Sequence, residues 1–132
     1  MRSFGSPPSA EEIEGIARSA LERLPELFAE HVRHVVLAIE EFADEATLAE
    51  LGLDDPFELT GLYSGRPLTE KSIADSGTLP DKVILYRRPI LDEWAGDGEQ
   101  LERLVTHILI HELGHHFGFS DDDMHALEDE KR

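Results

Sequence analysis

The stretch LERLVTHILIHELGHHFGFSD, Leu101 to Asp121, decides how this chain reads. Leu101, Leu104, Val105, Ile108, Leu109 and Leu113 cover more than one face of a helix, which predicts a mostly buried helix over about Glu99 to Phe117. Inside it, His111-Glu112-Leu113-Gly114-His115 matches H-E-x-x-H, and a helix puts residues i and i+4 on one face, so the two imidazoles aim at one point. Polar groups on such a helix are costly unless paired, and a divalent cation satisfies both rings at once. Glu112 lies about 100° around the helix, where a carboxylate reaches a water activated by that cation. Gly118 and Asp121 extend the pattern to H-E-x-x-H-x-x-G-x-x-D, in which a glycine takes the positive φ that turns the chain back and brings a third ligand over; the spacing prefers Asp121, with Asp122 and Asp123 as alternatives and the positive end of a final helix as another place for all three. The five-residue motif arises by chance in roughly a few of every thousand chains of this length, and the extended one in about one of a hundred thousand, so the extension carries the weight.

Outward from that helix the chain reads as α+β. Ser9 followed by Glu12 is a capping-box pattern, and Ile13, Ile16, Ala17, Ala20, Leu21 and Leu24 recur at helical spacing, predicting a first helix from Ala10 to Leu24 that ends before Pro25. A helical turn over Glu26 to Arg33 precedes a β-branched run, Val35 to Phe42, expected to be the first strand. Asp44 to Leu51 reads as a short helix stopped at Gly52. Phe57 to Tyr63 reads as a second strand entering a turn at Ser64 and Gly65, and Arg66 to Pro80 as loop. Val83 to Tyr86 reads as a third strand, placed at a sheet edge because Pro89 follows it. Gly96 and Gly98 break the chain before the long helix, and Ser120 is the N-cap of a short final helix. Strands in the middle and helices at both ends predict a small mixed or antiparallel sheet in one domain, residues 10–132, behind a loose tail, residues 1–9.

The chain has 132 residues, a formal charge of −17 and no cysteine. That acidity repels phosphate backbones and disfavours nucleic acid as partner or substrate. The longest apolar run, Val35 to Ile39, is far short of the ~20 residues that span a bilayer, so no membrane segment is expected. Met1 to Ala10 lacks the basic and apolar regions of a secretory signal, and the expectation is a cytoplasmic protein. Without cysteine there is no thiolate metal site and no cysteine nucleophile.

Over most of its length, through LTGLYSGRPLTEKS (Leu59 to Ser72), LPDKVILYRRPIL (Leu79 to Leu91) and above all HELGHHFGFSDDDMHALE (His111 to Glu128), the chain resembles the small bacterial zincin-like metallopeptidases of minimal domain. The resemblance implies an α+β zincin-type domain with a zinc site on the long helix and peptidase activity. Through the wider group that uses Asp as third ligand, it points to Asp121. Metzincin-type enzymes continue past the third ligand to a methionine-containing turn, whereas 11 residues follow Asp121 here and Met124 stands too close to it for that role. The lower wall of a conventional cleft is thus expected to be absent, leaving room for a partner chain to complete it.

The leading expectation is a zinc peptidase in which His111, His115 and Asp121 hold Zn²⁺ and Glu112 is the general base acting on peptide or protein substrates. The alternative is a non-catalytic, metal-stabilised or partner-binding domain whose site His125 or Asp122 closes. His125 also fits a donor to an oxyanion or an exposed histidine, the last preferred. His116 is expected to point away from the metal, and His107 to lie on the helix surface or behind the ligands. Lys82, Arg87 and Arg88 read first as a charged strand edge, with Val83 to Arg88 also a candidate substrate rim. Tyr63 and Tyr86 read first as packed strand aromatics, with donation to a transition state as the alternative.

Overall fold

The computed structural model describes residues 6–64, 81–118, 122, 124 and 126. Among them run α1 (Ala10–Glu22), α2 (Glu26–Val32), β1 (Val36–Glu40), α3 (Glu45–Leu51), a 3-10 turn (Pro56–Glu58), β2 (Gly61–Ser64), β3 (Lys82–Tyr86), α4 (Arg87–Asp97) and α5 (Leu101–Phe117). The fold is α+β, with a small mixed sheet as expected. The capping box forms at α1: the Glu12 N–H donates to Ser9 Oγ at 3.1 Å and the Ser9 N–H to Glu12 Oε1 at 2.9 Å. At α3 the Asp44 carboxylate accepts from the Thr47 N–H at 2.7 Å, and Gly52 closes the helix in the left-handed region.

The sheet order is β1-β3-β2, with β1 parallel and β2 antiparallel to β3. β3 is therefore the central strand, and its expected place at an edge is corrected. Pro89 gave the wrong cue because it belongs to the first turn of α4, where a missing N–H costs no hydrogen bond. α4 itself is a helix that the sequence reading left out, since only Ile90 and Trp94 mark an apolar stripe there. Both faces of β3 are covered. Val83 and Leu85 join the main core with Ile13, Ala17 and Leu37 and the apolar residues of α5, while Ile84 and Tyr86 turn to a smaller cluster with Ala43 and Leu48. This two-sided burial explains the unbroken apolar run VILY.

The expected second strand is shorter than predicted because Pro56 to Glu58 form the 3-10 turn, with Asp55 accepting from the Phe57 N–H at 2.9 Å. The expected loop, residues 66–80, lies outside the described residues, as do residues 1–5 of the expected tail. Pro8 is fully buried, and its carbonyl accepts from Arg87 Nε at 2.8 Å. Arg87 also donates from Nη1 to Glu41 Oε1 at 2.8 Å, and Arg88 stands 5.7 Å from the Phe42 ring. These arginines tie the start of the chain and the turn after β1 to α4. With β1 and β2 occupying both sides of β3, the candidate rim at Val83 to Arg88 has no open edge, and that reading is corrected too. None of the helices among the described residues is long and apolar enough to cross a membrane.

Candidate functional site

Helix α5 is anchored on most sides. Leu101, Leu104, Val105, Ile108, Leu109, Ile110 and Leu113 are all buried, and α1, α4, β2 and β3 pack against it. What it leaves toward solvent is a line of three imidazoles one turn apart: His107 and His115 exposed, His111 half-buried. The His111 and His115 ring centroids are 5.9 Å apart. Two imidazoles sharing a tetrahedral zinc at about 2.1 Å from each nitrogen have centroids about 5 Å apart, so a small rotation of either ring lets this pair grip one ion. As a donor set, two imidazoles fit zinc.

Glu112 leaves that line and faces β2. A Cβ built on Gly61 would come within 3.2 Å of Glu112 Cγ and 2.9 Å of Ile108 Cγ2, so a glycine at this point lets helix and strand approach closely. The Tyr86 N–H donates to the Thr60 carbonyl at 2.9 Å, and the antiparallel register then pairs Leu62 with Ile84 through hydrogen bonds, turning the peptide groups of Gly61 and Tyr63 away from β3. The Glu112 carboxylate accepts from that outward Tyr63 N–H. Burial pushes the Glu112 carboxyl above the usual carboxylate range, and the charge of His115 and the Tyr63 N–H pull in the other direction. A carboxylate withdrawn from water beside two histidines, with a backbone donor fixing it, is a poised proton acceptor. Tyr86, pushed up to about 12 by burial first and then by Glu40, Asp44 and Glu112, stays protonated and packs in the smaller cluster.

Tyr63 is held from several directions. Its ring stacks on His116 at 3.8 Å with planes 12° apart, and Phe117 meets it edge-on at 5.9 Å. Its hydroxyl donates to Asp81 Oδ2 at 3.0 Å, and burial followed by that carboxylate raises the phenol's pKa. His116 Nε2 lies 3.6 Å from the same oxygen. His116 thus shares the β2-facing side of α5 with Glu112 and stands off the histidine line, as its position beside His115 implies.

Gly118 ends α5 at φ 74°, and its N–H returns to the Gly114 carbonyl. Beyond the reversal, Asp122, Met124 and Ala126 have helical backbone, in keeping with the expected final helix; Asp122 is exposed and Met124 is buried in the main core. Ser120, Asp121 and His125 lie outside the described residues. Among the described residues no three His, Asp or Glu side chains form a group that could hold a metal ion. His111 and His115 stand side by side on one face of α5, and Glu112 lies on the adjoining face, toward β2. The sequence gives no sign of the Tyr63 peptide N–H, because any residue supplies one and the tertiary register alone aims it at Glu112.

A family model described as zincin-like metallopeptidase matches residues 32–131. No curated protein matches the chain. The match takes in β1, the whole sheet and all of α5, and the chain belongs to the zincin-like metallopeptidase family.

Proposed function

We propose that this domain hydrolyses peptide bonds with the help of a zinc ion held by His111, His115 and Asp121, and that Glu112 is its general base. The observation that carries the reading is the setting of Glu112. One residue from the first histidine of an i, i+4 pair, it is drawn into the seam between α5 and β2 and fixed there by the Tyr63 N–H. A carboxylate kept in a seam without a task would be a net cost to the fold. For Asp121 the support is indirect: Gly118 reverses the chain three residues before it, and Met124 is back in the core three residues after it.

Zinc in such a site supplies positive charge that polarises a carbonyl and makes a neighbouring water more acidic. The residues of the chain do the rest. His111 and His115 present their imidazole nitrogens from a helix whose other faces are buried. Glu112 takes a proton from the attacking water and passes it to the departing amine, and its raised pKa makes it a better acceptor than a solvated glutamate. The outer side of β2 runs past Glu112 with the peptide groups of Gly61 and Tyr63 facing outward. An extended peptide laid along that side would present a carbonyl beside Glu112, so the substrate rim passes from β3 to β2.

The test has two stages. Protein purified without chelator is measured for metal by elemental mass spectrometry, with His111→Ala/His115→Ala as control; about one zinc per chain, lost in the control, is expected. Glu112→Gln should then keep its zinc and lose cleavage of a peptide library. Equal turnover by that variant would remove Glu112 from the mechanism, and a zinc-loaded protein with no cleavage at all would favour the non-catalytic, metal-stabilised alternative.

A further inference from the structure

Glu112 and His116 stand four residues apart on α5, so both meet β2. A single residue of that strand engages them together. Tyr63 gives its peptide N–H to the Glu112 carboxylate and lays its ring flat on the His116 imidazole, with centroids 3.8 Å and planes 12° apart. Its hydroxyl reaches on to Asp81, the residue before β3, whose Oδ2 accepts at 3.0 Å. His116 Nε2 lies 3.6 Å from the same oxygen, and the His116 and Asp81 side chains are only 6% and 11% exposed. The Asp81 carbonyl also accepts from the Val36 N–H, at the start of β1, at 2.9 Å. Asp81 therefore ties both outer strands, and through the Tyr63–His116 stack the helix, to the start of the central strand.

These contacts restrain different motions. A stacked pair fixes the tilt of its rings but lets one turn or slide over the other. The hydroxyl bond at the far end of the phenol removes the turn, and Phe117, edge-on to Tyr63 at 5.9 Å and to His116 at 4.8 Å, limits the slide. The ring and the N–H of Tyr63 spring from the same Cα, so a fixed ring fixes the direction of the N–H. The ladder to β3 does not reach that N–H, because it bonds the Leu62 peptide groups and turns those of Tyr63 outward. We propose that Asp81 and His116 are positioning residues: acting through Tyr63, they fix the peptide N–H that holds Glu112, and so set where that carboxylate stands beside His111 and His115. The clamp stands on the contacts above, and its consequence for catalysis rests on the general-base role proposed for Glu112.

The experiment follows the Tyr63 amide of the full chain by ¹H–¹⁵N NMR, with Glu112→Ala marking its position when no carboxylate accepts from it. A charge-assisted bond is short and carries the amide proton downfield. Asp81→Ala and His116→Ala should move the signal toward its Glu112→Ala position and speed its hydrogen exchange about tenfold. Asp81→Asn, which still accepts from the phenol, should leave both as in wild type. Tyr63→Phe is the mildest cut: it keeps the ring on His116, loses only the hydroxyl bond, and its residue-63 amide should move the same way. The contrast between Tyr63→Phe and Asp81→Asn is informative even if the alanine variants do not fold. In zinc-loaded protein, Asp81→Ala and Tyr63→Phe should lower kcat on a peptide cleaved from the library by about a hundredfold, with Asp81→Asn restoring it. An amide that stays in place in the folded variants overturns the proposal, because a merely structural role lowers stability without moving that signal. Equal displacement in Asp81→Asn overturns it too, as does displacement with kcat unchanged. A displaced amide beside a zinc-loaded wild type that cleaves nothing would leave the clamp standing and remove the peptidase reading.

Discussion

Gly61→Ala isolates the contact that joins the sheet to the helix bearing Glu112. The added Cβ would stand 2.9 Å from Ile108 Cγ2 and 3.2 Å from Glu112 Cγ. Carbon atoms prefer about 3.5–4.0 Å, so the nearer contact is short by about 0.6–1.1 Å. Ile108 cannot give way by itself, because its Cγ2 is one bond from Cβ and a β-branched residue on a helix is confined to one rotamer. The strain must move α5 away from β2 or bend β2. Overpacking of this kind costs about 1–3 kcal/mol, and replacing glycine in a strand returns about 0.5–1 kcal/mol, leaving a net loss centred on about 1 kcal/mol. Gly15→Ala is the control: it lies exposed inside α1 with nothing within 4 Å of its Cβ position, and should gain about 0.5–1 kcal/mol. Urea unfolding of the two variants beside wild type should thus move the midpoint in opposite directions. The same shift should drag Glu112 from the Tyr63 N–H, and a displacement of about 1 Å at a reacting group costs about a hundredfold in rate. A Gly61→Ala protein as stable as Gly15→Ala would refute the close approach of β2 and α5, and with it the geometry assigned to Glu112.

Tyr63→Phe removes the donor to Asp81 and leaves a half-buried carboxylate short of a partner, so urea unfolding should show a loss of about 1–2 kcal/mol. Arg87→Met, which gives up the bonds to Pro8 and Glu41 but keeps an aliphatic stem, should lose about 1–2 kcal/mol in the same assay. The Asp44 carboxyl is held below its usual value by its bonds to Thr47; its cap is present above the unfolded carboxyl pKa of about 3.9 and is lost as pH falls through the lower folded one. Thermal unfolding between neutral pH and pH 3 should therefore show a shallower acid loss in Asp44→Asn, which still accepts from Thr47, than in wild type.

How far the sequence reaches depends on whether a feature is written in neighbouring residues. Ser9 and Glu12, Asp44 and Gly52, and Gly118 sit at the helix ends their chemistry predicts, since each cap closes within a turn. Misreadings came where a local cue had two tertiary outcomes. Pro89 forbids a ladder hydrogen bond and suits a strand edge, yet it suits the first turn of a helix equally, and the chain takes the second route. The four apolar residues Val83 to Tyr86 fit a strand covered on both faces better than an edge, and that covering is supplied by α5 on one side and the Ala43–Leu48 segment on the other. The basic cluster behaves the same way. Arg87 and Arg88 look like edge charges in sequence, while their partners, Pro8, Glu41 and Phe42, are far away along the chain.

The site divides along the same line, and the division explains why Glu112 and the histidines adjacent to it are treated so differently by the fold. His111 and His115 are set by helical period alone, and no neighbour is needed to align them. Glu112, one residue on, turns through about 100° and meets whatever the sheet offers. Because β3 is central, the strand it meets is β2, whose Gly61 is small enough to admit the carboxylate stem and whose Tyr63 peptide points out of the ladder to receive it. The glycine in LTGLYS and the strand order thus do jointly what neither the motif nor the long helix can do alone: they seat the Glu112 carboxylate against β2, where burial raises its pKa, and that seat is what the proposed role of Glu112 as general base rests on.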